Sequence, residues 1–232
     1  MGNIFKKTSD GAYGDANQSR QIPFAVVEAY KTIRTNLIYA MSQSSKRSFV
    51  VSSSNQGEGK STTSVNIAIA FSQLGSRVLL VDADLRMPTV YKKMKLSNSE
   101  GLTSILAGLS TFDEAVHRIN SNLDILTSGP IPPNPSELLS SVNMDDFLEK
   151  ANGIYDYIII DTPPVNVVSD AVVLTPKTAG AVLVVHGNTT THEQLDKAIA
   201  SLKFAEARLL GVVINGGAKK GKGYSYADKY GV

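Results

Sequence analysis

The 232-residue chain contains no cysteine, so a disulfide framework, a thiolate metal site and an iron–sulfur cluster are all excluded. An excess of charge of one sign is missing as well. A formal net charge of +2, with the basic residues dispersed, gives no electrostatic case for nucleic acid. No apolar run approaches the roughly 18 residues that cross a bilayer, and Met1 to Lys7 lacks the apolar centre of a secretory signal. Lys6 stands where a myristoylation start needs Ser or Thr. A cytosolic protein without direct membrane insertion is expected. His117, His186 and His192 show no metal spacing and no Ser–His–Asp order, and read as surface or packing residues. The remainder, 42% hydrophobic with mixed charge, suits one globular domain with tails and is too short for two full domains.

Residues 1–21 are polar, rich in Gly, Ser, Asn and Asp, and lack an apolar period, which predicts a mobile arm. Residues 22–215 hold the folded domain. Pro23 opens a helix on which Val26, Val27, Tyr30, Ile33, Leu37, Ile38 and Met41 make one buried stripe, with Glu28, Lys31 and Arg34 on the other face. Strands are expected at 49–51, 77–81, 157–160, 181–185 and 209–214, with a weaker one at 123–126. Helices are expected at 62–74, 112–118, 144–151, 169–174 and 193–205. Continuous β-rich runs imply strands buried on both faces, and the alternation predicts an α/β fold: a mostly parallel sheet with helices on both faces. Ligands of such sheets sit beyond the carboxyl ends of the strands. Residues 216–232 lose the apolar pattern and form a flexible tail carrying Tyr224, Tyr226 and Tyr230.

The chemistry concentrates after the first of those strands. Ser54-Asn55-Gln56-Gly57-Glu58-Gly59-Lys60-Ser61-Thr62 has the spacing of a P-loop, although Ser54 stands where glycine is common. Its backbone N–H groups and the following helix N-terminus hold phosphate. Lys60 would reach the β- and γ-phosphates and Ser61 would bind Mg²⁺. Asp82, Asp84 and Asp161 follow apolar strands, at the edge where the phosphates of such a ligand lie. Mg²⁺ takes oxygen ligands, so Ser61, Asp82, Asp84 and Asp161 are the candidate metal set. Two residues apart on extended chain, Asp82 and Asp84 would share a face. Each aspartate alone fits a turn cap equally well; the P-loop tips the reading toward metal and catalysis.

These motifs, Ser54 to Ser61, Asp82 to Arg86 and Asp161 to Pro164, together with the run Gly129 to Leu139 and the closing tyrosines, resemble the bacterial tyrosine kinases (BY-kinases) that regulate capsule and exopolysaccharide synthesis. The resemblance spans essentially the whole chain. It implies a P-loop NTPase-like fold related to the partitioning and septum-site ATPases, whose early P-loop lysine is replaced here by Asn55. It implies ATP and Mg²⁺ as cofactors, and a base edge near Asn215 and Gly216. It also implies a ring-shaped octamer built through a Glu-x-x-Arg-x-x-Arg motif, to which Glu28, Lys31 and Arg34 correspond with lysine at the first arginine. The partners it implies are a separate transmembrane activator of the polysaccharide co-polymerase type, which recruits the kinase to the inner face of the cell membrane, and a cognate phosphotyrosine phosphatase.

Within that frame Asp82 is expected to accept the proton of an incoming tyrosine, Lys60 to hold the γ-phosphate, and Arg86 either to steady its loop or to help place phosphate. The acceptors would be Tyr224, Tyr226 and Tyr230. From Lys219 to Tyr230 four lysines face one aspartate, which draws the tail toward a phosphate-filled site. A nucleotide-gated assembly switch that hydrolyses ATP without phosphorylating protein is the competing reading.

Overall fold

The computed structural model of the protein describes residues 5–7, 13–15 and 23–216. Strands β1 (Phe5–Lys7) and β2 (Tyr13–Asp15) pair as a short antiparallel ribbon inside the stretch expected as an arm. The tyrosine cluster lies outside the described residues.

Helix α1 (Phe24–Ala40) follows Pro23. Tyr30, Leu37 and Met41 are buried, with Val26, Ile33 and Ile38 packed beside them, as the three- and four-residue steps predict. Next come β3 (Ser48–Ser53), α2 (Lys60–Ser72), β4 (Val78–Asp82) and the short helices α3 (Val90–Met94), α4 (Leu102–Leu106) and α5 (Phe112–Ala115). The rest of the domain runs β5 (Val116–Asn120), β6 (Leu123–Leu126), α6 (Pro135–Ser140), α7 (Val142–Ile154), β7 (Tyr157–Asp161), α8 (Asp170–Leu174), β8 (Ala181–His186), α9 (His192–Phe204) and β9 (Leu209–Asn215).

The main sheet has the order β5-β6-β4-β7-β3-β8-β9 and is parallel except for β5. Alternate residues of each central strand feed opposite cores. Phe49, Val51, Leu80 and Ile159 pack with α1 and α2, whereas Val50, Leu79, Val81, Ile158 and Ile160 pack with α7, α8 and α9. Phe71 lies between Phe49 and Tyr157, with ring centroids 6.1 and 4.5 Å away. Fully burying one such ring contributes about 1.5–3 kcal/mol, so this cluster fixes α2 firmly across the sheet. Because α2 is buried from Thr63 to Ser72, its N-terminus is held rigidly at the carboxyl edge of β3.

Three expectations are corrected. The helix expected over 112–118 stops at Ala115, and Val116 onward is an antiparallel edge strand. A capping box starts the turn, since Glu114 accepts the Thr111 N–H at 2.8 Å, but the β-rich Val116 to Ile119 then finds the open edge of β6. Strand β9 is also an edge: Val212 and Ile214 are exposed, so its apolar run does not mean burial on both faces. Arg34 is not on a purely solvated face. Its Nη1 donates to the Ala70 carbonyl at 2.7 Å in the last turn of α2, while Glu28 and Lys31 pair with each other at 2.7 Å.

Candidate active site

The carboxyl ends of β3, β4 and β7 meet at α2. Gly57 and Gly59 hold φ of 80° and 90°, a region that only glycine enters without strain, so the loop turns tightly into Lys60 at the start of α2. A Cβ on Gly59 would stand 2.7 Å from Asn215 Nδ2. That amide donates to the Glu58 carbonyl at 2.9 Å and to Thr63 Oγ1 at 3.1 Å, so Asn215 braces the phosphate loop from behind.

Lys60 is the electrostatic hinge. Its Nζ lies 2.7 Å from Asp84 Oδ2 and 3.7 Å from Asp161 Oδ2. Burial pulls the ammonium toward its neutral form, but Asp161 and Asp84 outweigh that pull and leave its pKa raised. Asp161, fully buried at the end of β7, accepts the Ser64 hydroxyl at 2.9 Å through Oδ1, whereas its Oδ2 has no hydrogen-bond partner. Burial raises its pKa against the opposing Lys60 charge.

Asp82 and Asp84 do not share a strand face. β4 ends at Asp82, so the two-residue alternation stops there. Asp82 turns inward and takes the N–H of Asp84 at 3.2 Å and that of Val90 at 3.0 Å. Burial first, and Asp161 second, push its pKa up to about 8. Asp84 instead faces the cleft.

That cleft, about 550 Å³, is lined by the P-loop residues Gln56, Gly57 and Gly59 to Thr62, by Asp84, Arg86 and Lys93, and by an apolar wall of Met87, Pro163, Pro164, Val167 and Val168. Asp82 and Asp161 stand behind its surface. Among the described residues no three carboxylate or imidazole side chains converge as a metal cage. Magnesium bound with a nucleotide needs no such cage, because phosphates and water fill most of its sphere. The Ser61 hydroxyl, the cleft-facing Asp84 and Asp161 Oδ2, which lacks a hydrogen-bond partner, form an oxygen donor set that fits it.

Arg86 is anchored by distant partners. Its Nε and Nη2 reach the two oxygens of buried Asp170, at 2.9 and 3.1 Å, and Nη2 also donates to Ser136 at 2.8 Å. The planar fork thus ties the loop after β4 to the first turns of α8 and α6. Sequence reasoning missed Asp170, Ser136, Ser64, Thr190 and Lys93, whose Nζ lies 3.0 Å from Thr62 Oγ1. Each lies tens of residues from its partner, and no local pattern announces the pairing.

A family sequence model described as "AAA domain" matches residues 46–192. Tyrosine-protein kinase YwqD of Bacillus subtilis (strain 168) is 46% identical over 205 residues, 88% of this chain and 86% of the relative. Among solved structures, the kinase domain of Escherichia coli tyrosine kinase ETK matches with a TM-score of 0.81 at 31% identity, over 92% of this chain and 88% of that one. The septum site-determining protein MinD of Pyrococcus horikoshii OT3, complexed with Mg-ADP, shares the fold at a TM-score of 0.61 and 24% identity, over 72% of this chain and 69% of that one.

Proposed function

The chain belongs to the bacterial tyrosine kinases and is a tyrosine-protein kinase on a P-loop nucleotide-binding fold, and from that premise we propose that it moves the γ-phosphoryl group of Mg-bound ATP to tyrosines of its own tail. The observation that carries this reading is the Lys60 ammonium held between Asp84 and Asp161 at the mouth of a cleft with one polar and one apolar wall. Phosphoryl transfer asks a protein mainly for position and charge neutralisation. Magnesium, held by Ser61, Asp84 and Asp161, would supply the charge that offsets the phosphates. Lys60 and the loop amides grip the phosphates, and the Met87, Pro163 and Val167 wall suits an aromatic ring.

In this proposal Asp82 is the proton acceptor. With its pKa pushed up to about 8, Asp82 holds a proton at neutral pH in the nucleotide-free protein, so it acts as base through its ionised fraction, which grows as pH rises toward that value; the ionised form is a stronger base than an ordinary carboxylate toward a phenol that titrates near pH ~10. Asp84, whose N–H donates to Asp82, lines the cleft. Radiolabel transfer from ATP should require Mg²⁺ and be lost with a chelator. Asp82→Asn should lower it by roughly a hundredfold, the usual reach of one acid–base group. Labelling unchanged in Asp82→Asn and lost only in Asp84→Asn would move the base to Asp84.

The proposed acceptors are Tyr224, Tyr226 and Tyr230 on a 216–232 tail, modified by neighbours in a ring through Glu28, Lys31 and Arg34. A transmembrane activator would recruit the kinase to the inner membrane face, a phosphatase would reset it, and polysaccharide synthesis or export would be the controlled process, as the family resemblance implies. Phosphate release without phosphotyrosine would favour the assembly-switch reading instead.

A further inference from the structure

Glu58 sits in the middle of a loop shaped for phosphate, and only 3% of it is exposed. A carboxylate there opposes the charge of any phosphate bound beside it, so it does not serve to attract the ligand. What it does is accept. Its Oε2 takes the Asn55 N–H at 2.8 Å, and its Oε1 takes the Asn55 amide at 3.3 Å and the Thr190 hydroxyl. The same Thr190 hydroxyl accepts the His186 N–H at 2.9 Å at the end of β8. The Glu58 carbonyl is held from the other side by Asn215, and Asn188, in the loop after β8, donates to the Gly216 carbonyl at 2.9 Å.

We propose that Glu58 is a positioning residue: its buried clasp on Asn55 and Thr190 fixes the phosphate loop in its anion-binding shape and ties it to the loop between β8 and α9. An ionised carboxylate is the group that fits, because it accepts on both oxygens, and every neighbour given above is a donor. The clasp also closes the early part of the loop on itself at Asn55. Through Thr190, displacement of the 187–191 loop is felt at the phosphates, so whatever contacts that loop alters the grip on nucleotide. The proposal rests on this cleft being the nucleotide site, and not on which group receives the phosphoryl.

The test is titration of the full-length protein with Mg-ADP and Mg-ATP carrying a fluorescent label, with thermal melting alongside. Glu58→Gln presents an N–H₂ to donors, and should weaken both nucleotides about tenfold to a hundredfold while the melting temperature of the unliganded protein stays within a few degrees. Thr190→Val should weaken them less, and Thr190→Ser should restore the affinity because it keeps the hydroxyl. In the double variant Glu58→Gln/Thr190→Val the two losses should not add, as befits one network. Wild-type affinity in both single variants, or losses that add in full, would overturn the proposal. If labelled nucleotide binds the wild type and no phosphotyrosine ever forms, the kinase reading fails and the clasp stands.

Discussion

At the scale of single residues, the site is a small set of buried charges balanced against each other. Asp82 gives this a pH signature. Its pKa is about 8 in the folded protein and near ~3.9 in an unfolded chain, so between those values the folded state holds a proton that the unfolded state has released. Stability then falls as pH rises through that window, and the raised pKa of Asp161 acts with the same sign. The nucleotide-free protein should melt roughly 3–6 °C lower at about pH 8.5 than at about pH 6, a change of about 1–2 kcal/mol for a chain this long. Asp82→Asn should flatten the slope; a wild-type melting point that climbs over this range would refute the assignment. Arg86 acts through geometry instead. Arg86→Lys keeps the charge but cannot span both oxygens of Asp170. We expect the rate of labelling to fall about tenfold with nucleotide affinity nearly unchanged, and a variant that loses affinity but keeps its maximal rate would place Arg86 on the phosphates.

At the scale of elements, the P-loop and the two strand-end aspartates were legible because strand, turn and helix each carry a local pattern that agrees with the next. Lys60 starts α2, and Asp82 and Asp161 end β4 and β7, within a residue or two of the expected boundaries. What could not be read was anything decided by a distant neighbour. Val116 to Asn120 became a strand because β6 offers an edge, and β9, at the end of the sheet among the described residues, is only partly covered. The Arg86–Asp170 fork bridges 84 positions and the Glu58–Thr190 contact 132. The Asp82–Asp84 expectation failed for a local reason, since the strand ends between the two. Gly59 shows how tightly the elements meet. Gly59→Ala would place a Cβ 2.7 Å from Asn215 Nδ2 at φ of 90°, a strain of about 1–3 kcal/mol. It should weaken nucleotide binding at least tenfold, and an alanine variant with unchanged affinity would mean that the Asn215 brace yields freely.

At the scale of the whole molecule, the sheet is a scaffold that presents one charged cleft at its carboxyl edge, with its apolar wall beside the phosphate loop. The ring proposed through α1 must work with Arg34 already bonded to the Ala70 carbonyl and with Glu28 and Lys31 paired to each other. An exposed pair of that kind contributes at most about 1 kcal/mol, so breaking it to meet a neighbour costs little. The tail would arrive carrying the excess of lysine between Lys219 and Tyr230. Each phosphate adds about −1.5 to −2 of charge, so three reverse its sign and favour release from an acidic, phosphate-filled site. The most direct measurement is mass spectrometry of the full chain after incubation with Mg-ATP and the cytoplasmic segment of the proposed activator, with Lys60→Met beside the wild type. Phosphate on Tyr224, Tyr226 and Tyr230 of the wild type, absent from Lys60→Met, is the expected result. Unmodified tyrosines with inorganic phosphate released, or full modification in Lys60→Met, would contradict it.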